Sequence, residues 1–282
     1  MKVAIIGYGF VGKALEFGLK NNTQISLIDP KLGSKISELK FFNPNLLFIC
    51  VPTPMRNDGS QDLSVLQDVS SELKKLSLSS LVVLKSTVLP NYVDNLEELF
   101  PNLVYNPEFL RESYANEDFI NSELIIFGGK KHNTKLLADF YDNHTNCLNS
   151  CYNHTDLISA SLIKYSINTF LSTKVIFFNE LFNVFNKSGT KDTWENFINI
   201  MSNDKRIGNS HMQVPGPDGK FGYGGACFPK DSNAFYSYSE LIKEPLKLLN
   251  KSISINNQIR RKYSFDEREL EQNINFDRDA FI

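Results

Sequence analysis

The sequence predicts an α/β protein in which an N-terminal doubly wound parallel sheet is followed by an α-helical domain with long helices. Three observations carry this prediction. Short apolar runs alternate with helical patterns in the N-terminal half, a glycine-rich turn follows the first run, and helical periodicity dominates from Asp156 onward. Alternating strands and helices are typical of a parallel sheet covered by helices on both faces.

The bulk composition excludes several classes of function. The chain has 282 residues, of which 41% are hydrophobic and 22% are charged, and its formal net charge is -2. This balance provides no basic field for nucleic acid or for an anionic membrane surface. No apolar run approaches the ~18 residues of a membrane span, and four cysteines in a chain of this length do not make a disulfide scaffold. We therefore expect a cytoplasmic protein with no nucleic-acid or membrane partner.

The first strand, turn and helix predict a site for a dinucleotide. An apolar run over Lys2–Ile6 is followed by glycines and then by a helical pattern over Val11–Leu19. Gly7 permits the tight turn, Gly9 lets a pyrophosphate approach the backbone, and Gly12 lets the helix pack on the strand. The N-terminus of the helix then faces the phosphates.

The residue after the second strand indicates which dinucleotide binds. This strand covers Ile25–Ile28, and Asp29 follows it, 22 positions after Gly7. A carboxylate at this distance binds the ribose hydroxyls of adenosine and would repel a 2′-phosphate. The predicted cofactor is therefore NAD.

The remaining strands of the predicted sheet end in polar residues. These strands cover Leu46–Val51, Leu81–Lys85, Leu103–Tyr105 and Leu124–Phe127, with helical patterns between most of them, for example over Leu63–Leu76. Three of the strands end in the motifs Val51–Pro54, Ser86–Val88 and Asn106–Glu108. Such residues are common in ordinary turns. Ligands of these sheets bind beyond the carboxyl ends of the strands, however, so three polar ends at one edge favour a binding site.

The third of these motifs predicts the start of a helix. Asn106 can serve as its N-cap, and Pro107 suits the first helical position. In a helix Glu108 and Glu112 would share one face. They could simply stabilise the helix dipole, or one of them could face the cofactor and act as a base.

The C-terminal half is predominantly helical. The pattern predicts helices from Asp156 to about Gly189, over Thr193–Met201, and from near Pro229 to about Tyr263, with an interruption at Pro245. Lys164 and Asn168 lie four residues apart on the first of these helices and share a face. Judged alone, they could extend their polar ends to solvent. The charged, weakly periodic stretch Ser264–Ile282 is interpreted as a tail.

Cys227 has the neighbours of a reactive thiol. It lies within Gly222–Asp231, where glycines precede it and Pro229, Lys230 and Asp231 follow closely. Glycines let a ligand approach the backbone, and a nearby lysine favours the nucleophilic thiolate. A buried structural cysteine requires none of these neighbours, so Cys227 is a candidate nucleophile.

Taken together, these motifs resemble those of the nucleotide-sugar dehydrogenases, the group of UDP-glucose 6-dehydrogenase and GDP-mannose dehydrogenase, with UDP-glucose 6-dehydrogenase as the nearer match. The matching pieces occur in family order over residues 1–262. They are Gly7–Gly12, Asp29, Val51–Pro54, Ser86–Val88, Asn106–Glu112, Lys164–Asn168 and Gly222–Asp231.

The resemblance implies a four-electron oxidation of a sugar C6 alcohol to a carboxylate with two NAD⁺, most directly of UDP-glucose to UDP-glucuronate. Cys227 would attack the intermediate aldehyde, and a thioester would then be hydrolysed. Lys164 and Asn168 would stabilise the oxyanion. Asp231 and Thr87 would hold a water and move protons, and Glu108 would serve thioester hydrolysis.

The resemblance also implies binding residues. Those for the cofactor are Gly7, Gly9, Phe10, Val11, Gly12, Asp29, Thr53, Thr87, Glu112 near the nicotinamide, and Lys230 at the pyrophosphate. Those for the substrate are Glu108, Phe109, Leu110, Lys164, Asn168, Arg206, Tyr223 and Gly224.

The resemblance further suggests a domain organisation. It predicts a Rossmann domain over residues 1–153, a helical catalytic and dimerisation domain over 154–263, and a tail over 264–282. Family members usually continue into a second Rossmann-like domain that binds the substrate nucleotide. About 20 residues follow the last long helix here, too few for a domain, so we expect that domain to be absent.

Two other activities remain open from the sequence. The chain could bind NAD or a nucleotide sugar without turnover, or only together with a partner. It could also be a single-oxidation 3-hydroxyacid dehydrogenase, which would need the lysine and the amide but not the cysteine segment.

Two further features concern metals and assembly. The set His144, Cys147, Cys151 and His154 contains zinc-ligand residue types, but its spacing is not a standard one, and we expect no metal. The helix from Asp156 is apolar on more than one face, which predicts a homodimer through it.

Overall fold

The computed structural model describes residues 1–277, which divide into two compact units. The first contains Met1–Thr53 and Asp62–Lys164, and the second contains Pro54–Gln61 and the chain from Tyr165 onward. The division falls after Lys164, whereas the sequence places the domain boundary after residue 153.

Seven strands of the described chain form one sheet in the first unit. They are β1 (Lys2–Ile6), β2 (Gln24–Ile28), β3 (Leu46–Ile49), β4 (Leu81–Leu84), β5 (Leu103–Tyr105), β6 (Ile125–Gly129) and β7 (Tyr152–Thr155), in the spatial order β2-β1-β3-β4-β5-β6-β7. The six strands derived from the sequence are all present, with ends that differ by two residues or fewer.

The central strands are apolar on both faces because helices cover both. In β1, Val3 and Ile5 belong to one buried cluster, and Ala4 and Ile6 belong to the other. All four are at most 2% exposed. Continuous apolar runs are typical of strands in such sheets.

The sheet is parallel from β2 to β5, but β6 pairs antiparallel with β5. A parallel return requires a crossover that covers the sheet. The connection from β5 to β6 instead contains a 3₁₀ turn and a six-residue helix, Ala115–Ile120. β7 is again parallel to β6.

Six helices of the first unit connect the strands. They are α1 (Phe10–Gly18), α2 (Leu39–Phe42), α3 (Ser64–Leu76), α4 (Pro90–Leu99), α5 (Ala115–Ile120) and α6 (Lys131–His144). They are followed by the 31-residue helix α7 (Leu157–Lys187). The boundary between the two units, after Lys164, falls within this helix.

The second unit is helical, as the sequence predicts. Its helices after α7 are α8 (Trp194–Ser202), α9 (Phe228–Leu241), α10 (Lys247–Arg260) and α11 (Glu267–Glu271). Pro245 lies in the break between α9 and α10, where it cannot donate a helical hydrogen bond.

The stretch interpreted as a tail forms structure over its described part. α11 begins with a capping box in which Asp266 and Glu269 bond each other's backbone N–H groups. Beyond it, Ile274 and Phe276 are buried against Met55. The sequence did not predict this packing, because the stretch is rich in charged residues. One of them, Glu269, is itself buried. Residues 278–282 of the predicted tail lie outside the described residues.

Within residues 1–277, no helix combines the length and the apolar character needed to cross a lipid bilayer.

Candidate active site

The turn between β1 and α1 needs glycine for its own packing. Gly7 has φ +90°, and a Cβ there would lie 2.7 Å from the Cys50 carbonyl oxygen. A Cβ at Gly12 would overlap the Gly7 carbonyl oxygen. Gly9, the N-cap of α1, has no heavy atom within 4 Å of the place where its Cβ would be. The turn is therefore closed on the protein side and open at the N-terminus of α1, which fits a bound pyrophosphate.

Asp29 lies beside this turn. Its carboxylate accepts hydrogen bonds from the backbone N–H groups of Tyr8, at 2.7 Å, and Lys31, at 2.8 Å. Asp29 thus fixes the glycine turn and places a negative charge at the end of β2. Phe10 and Val11, the first residues of α1, are half-buried.

The strand order places this turn at a topological switch point. β1 has β2 on one side and β3 on the other, so successive connections leave it in opposite directions. Sheets of this kind bind ligands beyond the carboxyl ends at that point. The next strand ends are joined, because the Thr53 hydroxyl donates to the Thr87 carbonyl at 2.9 Å and the Ser86 hydroxyl to the Val51 carbonyl at 2.7 Å.

The helix predicted from Asn106 is not formed. Residues 106–111 are non-helical, and Glu112 begins a short 3₁₀ turn. The Asn106 side chain does not cap a helix, because it accepts from Lys85 Nζ at 2.9 Å and from the Tyr141 hydroxyl at 2.6 Å, and donates to the Ile126 carbonyl. Glu108 and Glu112 consequently do not share a helix face.

Glu108 and Lys164 form a buried pair in the first unit. The Lys164 ammonium is 3% exposed and donates to the Glu108 carbonyl oxygen at 2.5 Å and to its Oε1 at 3.3 Å. Oε2 accepts from the Leu110 backbone N–H at 2.7 Å, and Nζ lies 4.9 Å from the centre of the Phe109 ring. The expectation from the residues alone, that Lys164 extends to solvent, is wrong because Glu108 supplies a buried partner.

In the second unit, Cys227 is the N-cap of α9, where the helix dipole favours negative charge. The backbone carbonyl of Cys227 accepts from the Asp231 N–H at 2.9 Å. Asp231 is 1% exposed, and its carboxylate accepts from Asn168 Nδ2 and from Lys230 Nζ, both at 2.6 Å. The first turn of α9 therefore carries both the candidate nucleophile and a buried carboxylate that is paired with an amide and an ammonium.

The other predicted substrate residues differ in their surroundings. Arg206 forms a two-pronged pair with Asp204 and is 90% exposed. Tyr223 is buried, and desolvation raises its pKa well above the usual value. A Cβ at Gly224 would overlap the guanidinium of Arg260 and the carboxylate of Glu269, so this glycine is also required by packing.

The zinc-like set does not come together. Among the described residues, no group of three or more His, Cys, Asp or Glu side chains could hold a metal ion. The four members make other contacts. His144 lies against Asn22, His154 against Thr134 and the Cys147 thiol against the Phe119 carbonyl, while Cys151 is exposed.

Three residues that support the cysteine segment could not be identified from the motifs. Asn256 and Glu269 bond its backbone directly, and Arg260 pairs with Glu269. Asn256 and Arg260 had a signal. Their spacing from Leu249 and Ile253 places them on the apolar face of α10. Glu269 had no such signal in the sequence beyond its place in a capping box.

The fold and these groups define an α/β dinucleotide-binding protein whose helical part has a cysteine at a helix N-terminus. Models of the UDP-glucose/GDP-mannose dehydrogenase family match the chain, the NAD binding domain over residues 33–146 and the central domain over 158–258. The chain belongs to this family, which confirms the resemblance, and it carries the family's NAD-binding domain.

Relatives and solved structures agree with this assignment. A UDP-glucose 6-dehydrogenase of Rickettsia bellii is 38% identical over 71% of this chain and 46% of its own length. The Bacillus subtilis UDP-glucose 6-dehydrogenase YwqF is 31% identical over 88% of this chain and 56% of its own. The chain thus spans about half the length of these relatives. The structure of a UDP-glucose dehydrogenase from Pyrobaculum islandicum has a TM-score of 0.75, with 25% identity over 92% of this chain and 68% of its own.

Proposed function

We propose that the protein oxidises the C6 alcohol of a nucleotide sugar, UDP-glucose, to the carboxylate with two NAD⁺. The observation that carries this proposal is Cys227 at the N-terminus of α9, in the same first turn as Asp231, whose buried carboxylate accepts from Asn168 and Lys230. A simple alcohol dehydrogenase needs no nucleophilic cysteine. Family membership and the names of the relatives above support the substrate class.

The glycine turn and Asp29 fit the cofactor. The pyrophosphate would lie at the N-terminus of α1 beside Gly9, and Asp29 would bind the ribose hydroxyls. Bound NAD⁺ supplies a hydride acceptor. Phe10, Val11, Thr53, Thr87, Glu112 and Lys230 remain proposed cofactor contacts.

In the first oxidation, the C6 hydroxyl loses its proton and C6 loses a hydride, which leaves an aldehyde. Asp231 and Thr87 are the proposed groups for holding a water and moving the proton. Lys164 and Asn168 are proposed to stabilise negative charge on the oxygen, because fixed donors act strongly in a dry site.

In the second oxidation, Cys227 becomes the nucleophile. Its sulfur forms a bond to the aldehyde carbon, and the carbonyl oxygen becomes an oxyanion. Loss of a second hydride from that carbon leaves a thioester. Water then attacks the thioester carbon, the C–S bond breaks, and the thiol and the carboxylate are released, with Glu108 as the proposed residue for this hydrolysis. One alcohol, one water and two NAD⁺ thus yield a carboxylate, two NADH and three protons.

Substrate contacts are also proposed. They are Glu108, Phe109, Leu110, Lys164, Asn168, Arg206, Tyr223 and Gly224. The role of Gly224 would be to leave room, since a Cβ there would overlap the Arg260 and Glu269 side chains.

NADH formation with a panel of UDP- and GDP-sugars tests the proposal. We expect two NADH per molecule of UDP-glucose, and no product from Cys227→Ala. The matched control is Cys151→Ala, which removes an exposed cysteine and should retain full activity.

The other activities give different results. One NADH per sugar, unaffected by Cys227→Ala, would show a single-oxidation enzyme. Nucleotide-sugar binding by calorimetry with no NADH formation would show a binding protein.

We also propose that α7 forms a homodimer interface. Phe170, Phe177 and Val184 follow one another at intervals of seven residues and are 68%, 57% and 63% exposed. A repeat of seven is typical of helices that pair along their length. Large apolar side chains in such a row are rarely left to solvent.

A further inference from the structure

The cysteine loop, defined as Gly222–Cys227, is held at successive backbone groups by side chains from elsewhere in the second unit. Asn256 of α10 accepts from the Tyr223 N–H at 2.7 Å and donates to the Tyr223 carbonyl at 3.0 Å. Two residues later, the Gly225 N–H donates to Glu269 Oε1 at 3.2 Å. Glu269 is therefore the contact nearest along the loop to the thiol among these side chains.

Glu269 belongs to a buried charge network. The same Oε1 accepts from Arg260 Nη2 at 2.5 Å, and Oε2 accepts from the Asp266 N–H at 3.0 Å. The side chains of Arg260 and Glu269 are both 1% exposed. A second carboxylate, Asp218, accepts from Arg260 Nη1 at 2.7 Å.

The loop lies directly on this pair. A Cβ at Gly224 would overlap both the Arg260 guanidinium and the Glu269 carboxylate. Fully buried ion pairs are poor devices for stability, because desolvation offsets most of their attraction, and apolar residues often serve equally well. An apolar pair, however, could not accept the N–H of Gly225. The ion pair does what an apolar pair cannot, since it provides a fixed acceptor for the loop.

The segment containing Glu269 is itself anchored by the residues that follow Glu269. The Met55 N–H donates to the Gln272 carbonyl at 3.0 Å, and Met55 packs with Ile274 and Phe276. Arg261 donates to the Phe276 carbonyl at 2.8 Å. Glu269 therefore presents its oxygen from a well-packed segment.

We infer that Glu269, oriented by Arg260, is a positioning residue for Cys227, because it fixes the backbone of the cysteine loop two residues before the thiol. This inference rests on the proposed function, in which Cys227 reacts with the substrate. It assigns a role in placing the nucleophile to a segment that follows the last long helix.

Glu269→Gln tests the inference, because the amide keeps the shape but has one oxygen in place of two, so it cannot accept from Arg260, Gly225 and Asp266 together. Asp218→Asn is the matched control, since it removes the other partner of Arg260 without touching Gly225. We expect kcat for sugar oxidation to fall about 100-fold in Glu269→Gln with little change in KM for NAD⁺, as a small misplacement of a reacting group costs about that much. Asp218→Asn should stay close to wild type.

A second measurement needs no turnover. Alkylation of Cys227 by iodoacetamide is followed by mass spectrometry, with the exposed Cys151 as the internal reference. In Glu269→Gln we expect about threefold slower alkylation, since the thiol shifts from the helix N-terminus that favours the thiolate. Amide hydrogen exchange over the loop should become faster.

The inference is overturned if alkylation and exchange in Glu269→Gln match wild type, or if both variants lose kcat in proportion to their unfolding temperatures. A wild-type protein that forms no NADH from any sugar would contradict the proposed function, while the alkylation and exchange results would still decide the role of Glu269.

Discussion

Lys85 is a buried lysine that hydrogen-bonds to Asn106 inside the core, and its ammonium is desolvated there. It is 4% exposed at the end of β4, and its ammonium donates to the Asn106 Oδ1 at 2.9 Å and to the Asn106 carbonyl at 3.3 Å. Desolvation lowers the pKa of Lys85 below its usual 10.5, although Cys50 and Glu108 oppose this shift. Burial likewise raises the pKa of the Cys50 thiol to about 12, so this cysteine stays protonated.

Replacement of Lys85 should change how stability depends on pH. Between the lowered pKa of the folded state and 10.5, the unfolded chain binds more protons than the folded one, so wild-type stability rises with pH. Lys85→Met has no such proton. We expect the stability of wild type relative to Lys85→Met to increase as the pH rises from the lowered pKa toward 10.5, by up to about 1.4 kcal/mol per pH unit.

Urea unfolding at a series of pH values measures this difference. Lys74→Met, at an exposed position of α3, is the control and should show no trend. A flat difference for Lys85→Met as well would mean that burial does not shift the titration of Lys85.

The neighbours of Lys164 along the chain do not reveal its burial, for a related reason. A lysine on an apolar helix can reach solvent. Helical spacing does not reveal whether another segment of the chain places a carboxylate against the face that carries this lysine. Glu108, 56 positions earlier, provides both a carbonyl and a carboxylate oxygen. Only the resemblance to the family, through the separate motifs Asn106–Glu112 and Lys164–Asn168, predicted a shared functional role for these two residues.

At the scale of elements, the segment 106–112 shows where local signals lose to tertiary contacts. Asn-Pro followed by glutamate is a good helix start. The Asn106 side chain is instead used by Lys85, Tyr141 and the Ile126 carbonyl. Three buried groups would lose their partner if Asn106 capped a helix, and an unpaired buried polar group costs more than a cap contributes.

The exposed apolar row of α7, Phe170, Phe177 and Val184, leads to a prediction about assembly. The double substitution Phe170→Glu and Phe177→Glu should convert the proposed dimer to a monomer, because it would bury two carboxylates without partners in an apolar interface. Sedimentation at micromolar concentration measures the change. The control is Ile200→Glu, at an exposed position of α8, and this variant should remain dimeric. A monomeric wild-type protein would contradict the proposed interface.

At the scale of the whole molecule, cofactor binding should stabilise the fold selectively. A ligand that binds only the folded state adds about 2.7 kcal/mol at a concentration of 100 Kd. We expect NAD⁺ to raise the unfolding temperature more than NADP⁺ at equal concentration, because the Asp29 carboxylate repels a 2′-phosphate.

Thermal unfolding of wild type and Asp29→Asn checks this expectation. The amide keeps an oxygen that can accept from the Tyr8 N–H, so the turn should persist. The NAD⁺ shift should shrink and the discrimination against NADP⁺ should weaken. Equal shifts for both dinucleotides in wild type would show that Asp29 does not select the cofactor.

The sheet and the long helices could be predicted because they depend on signals close together in sequence. The apolar runs of β1 and β2, the glycine turn between them and the acid at position 29 specify strand, turn and cofactor within about 30 residues of one another. The reversal of β6 could not be predicted, since it depends on the short connection from β5 to β6, which contains α5, and not on the apolar pattern of β6 itself.

The sequence by itself determined the α/β class, because apolar runs and helical patterns alternate along it. It also predicted the NAD site and Cys227 as the candidate nucleophile, because each lies in a short motif with fixed spacing. Tertiary structure alone decided the partners of the buried charges. Lys164 with Glu108, Asn168 with Asp231, and Arg260 with Glu269 each join distant segments or elements. A buried charge requires a partner, but its sequence position does not say which residue will supply it.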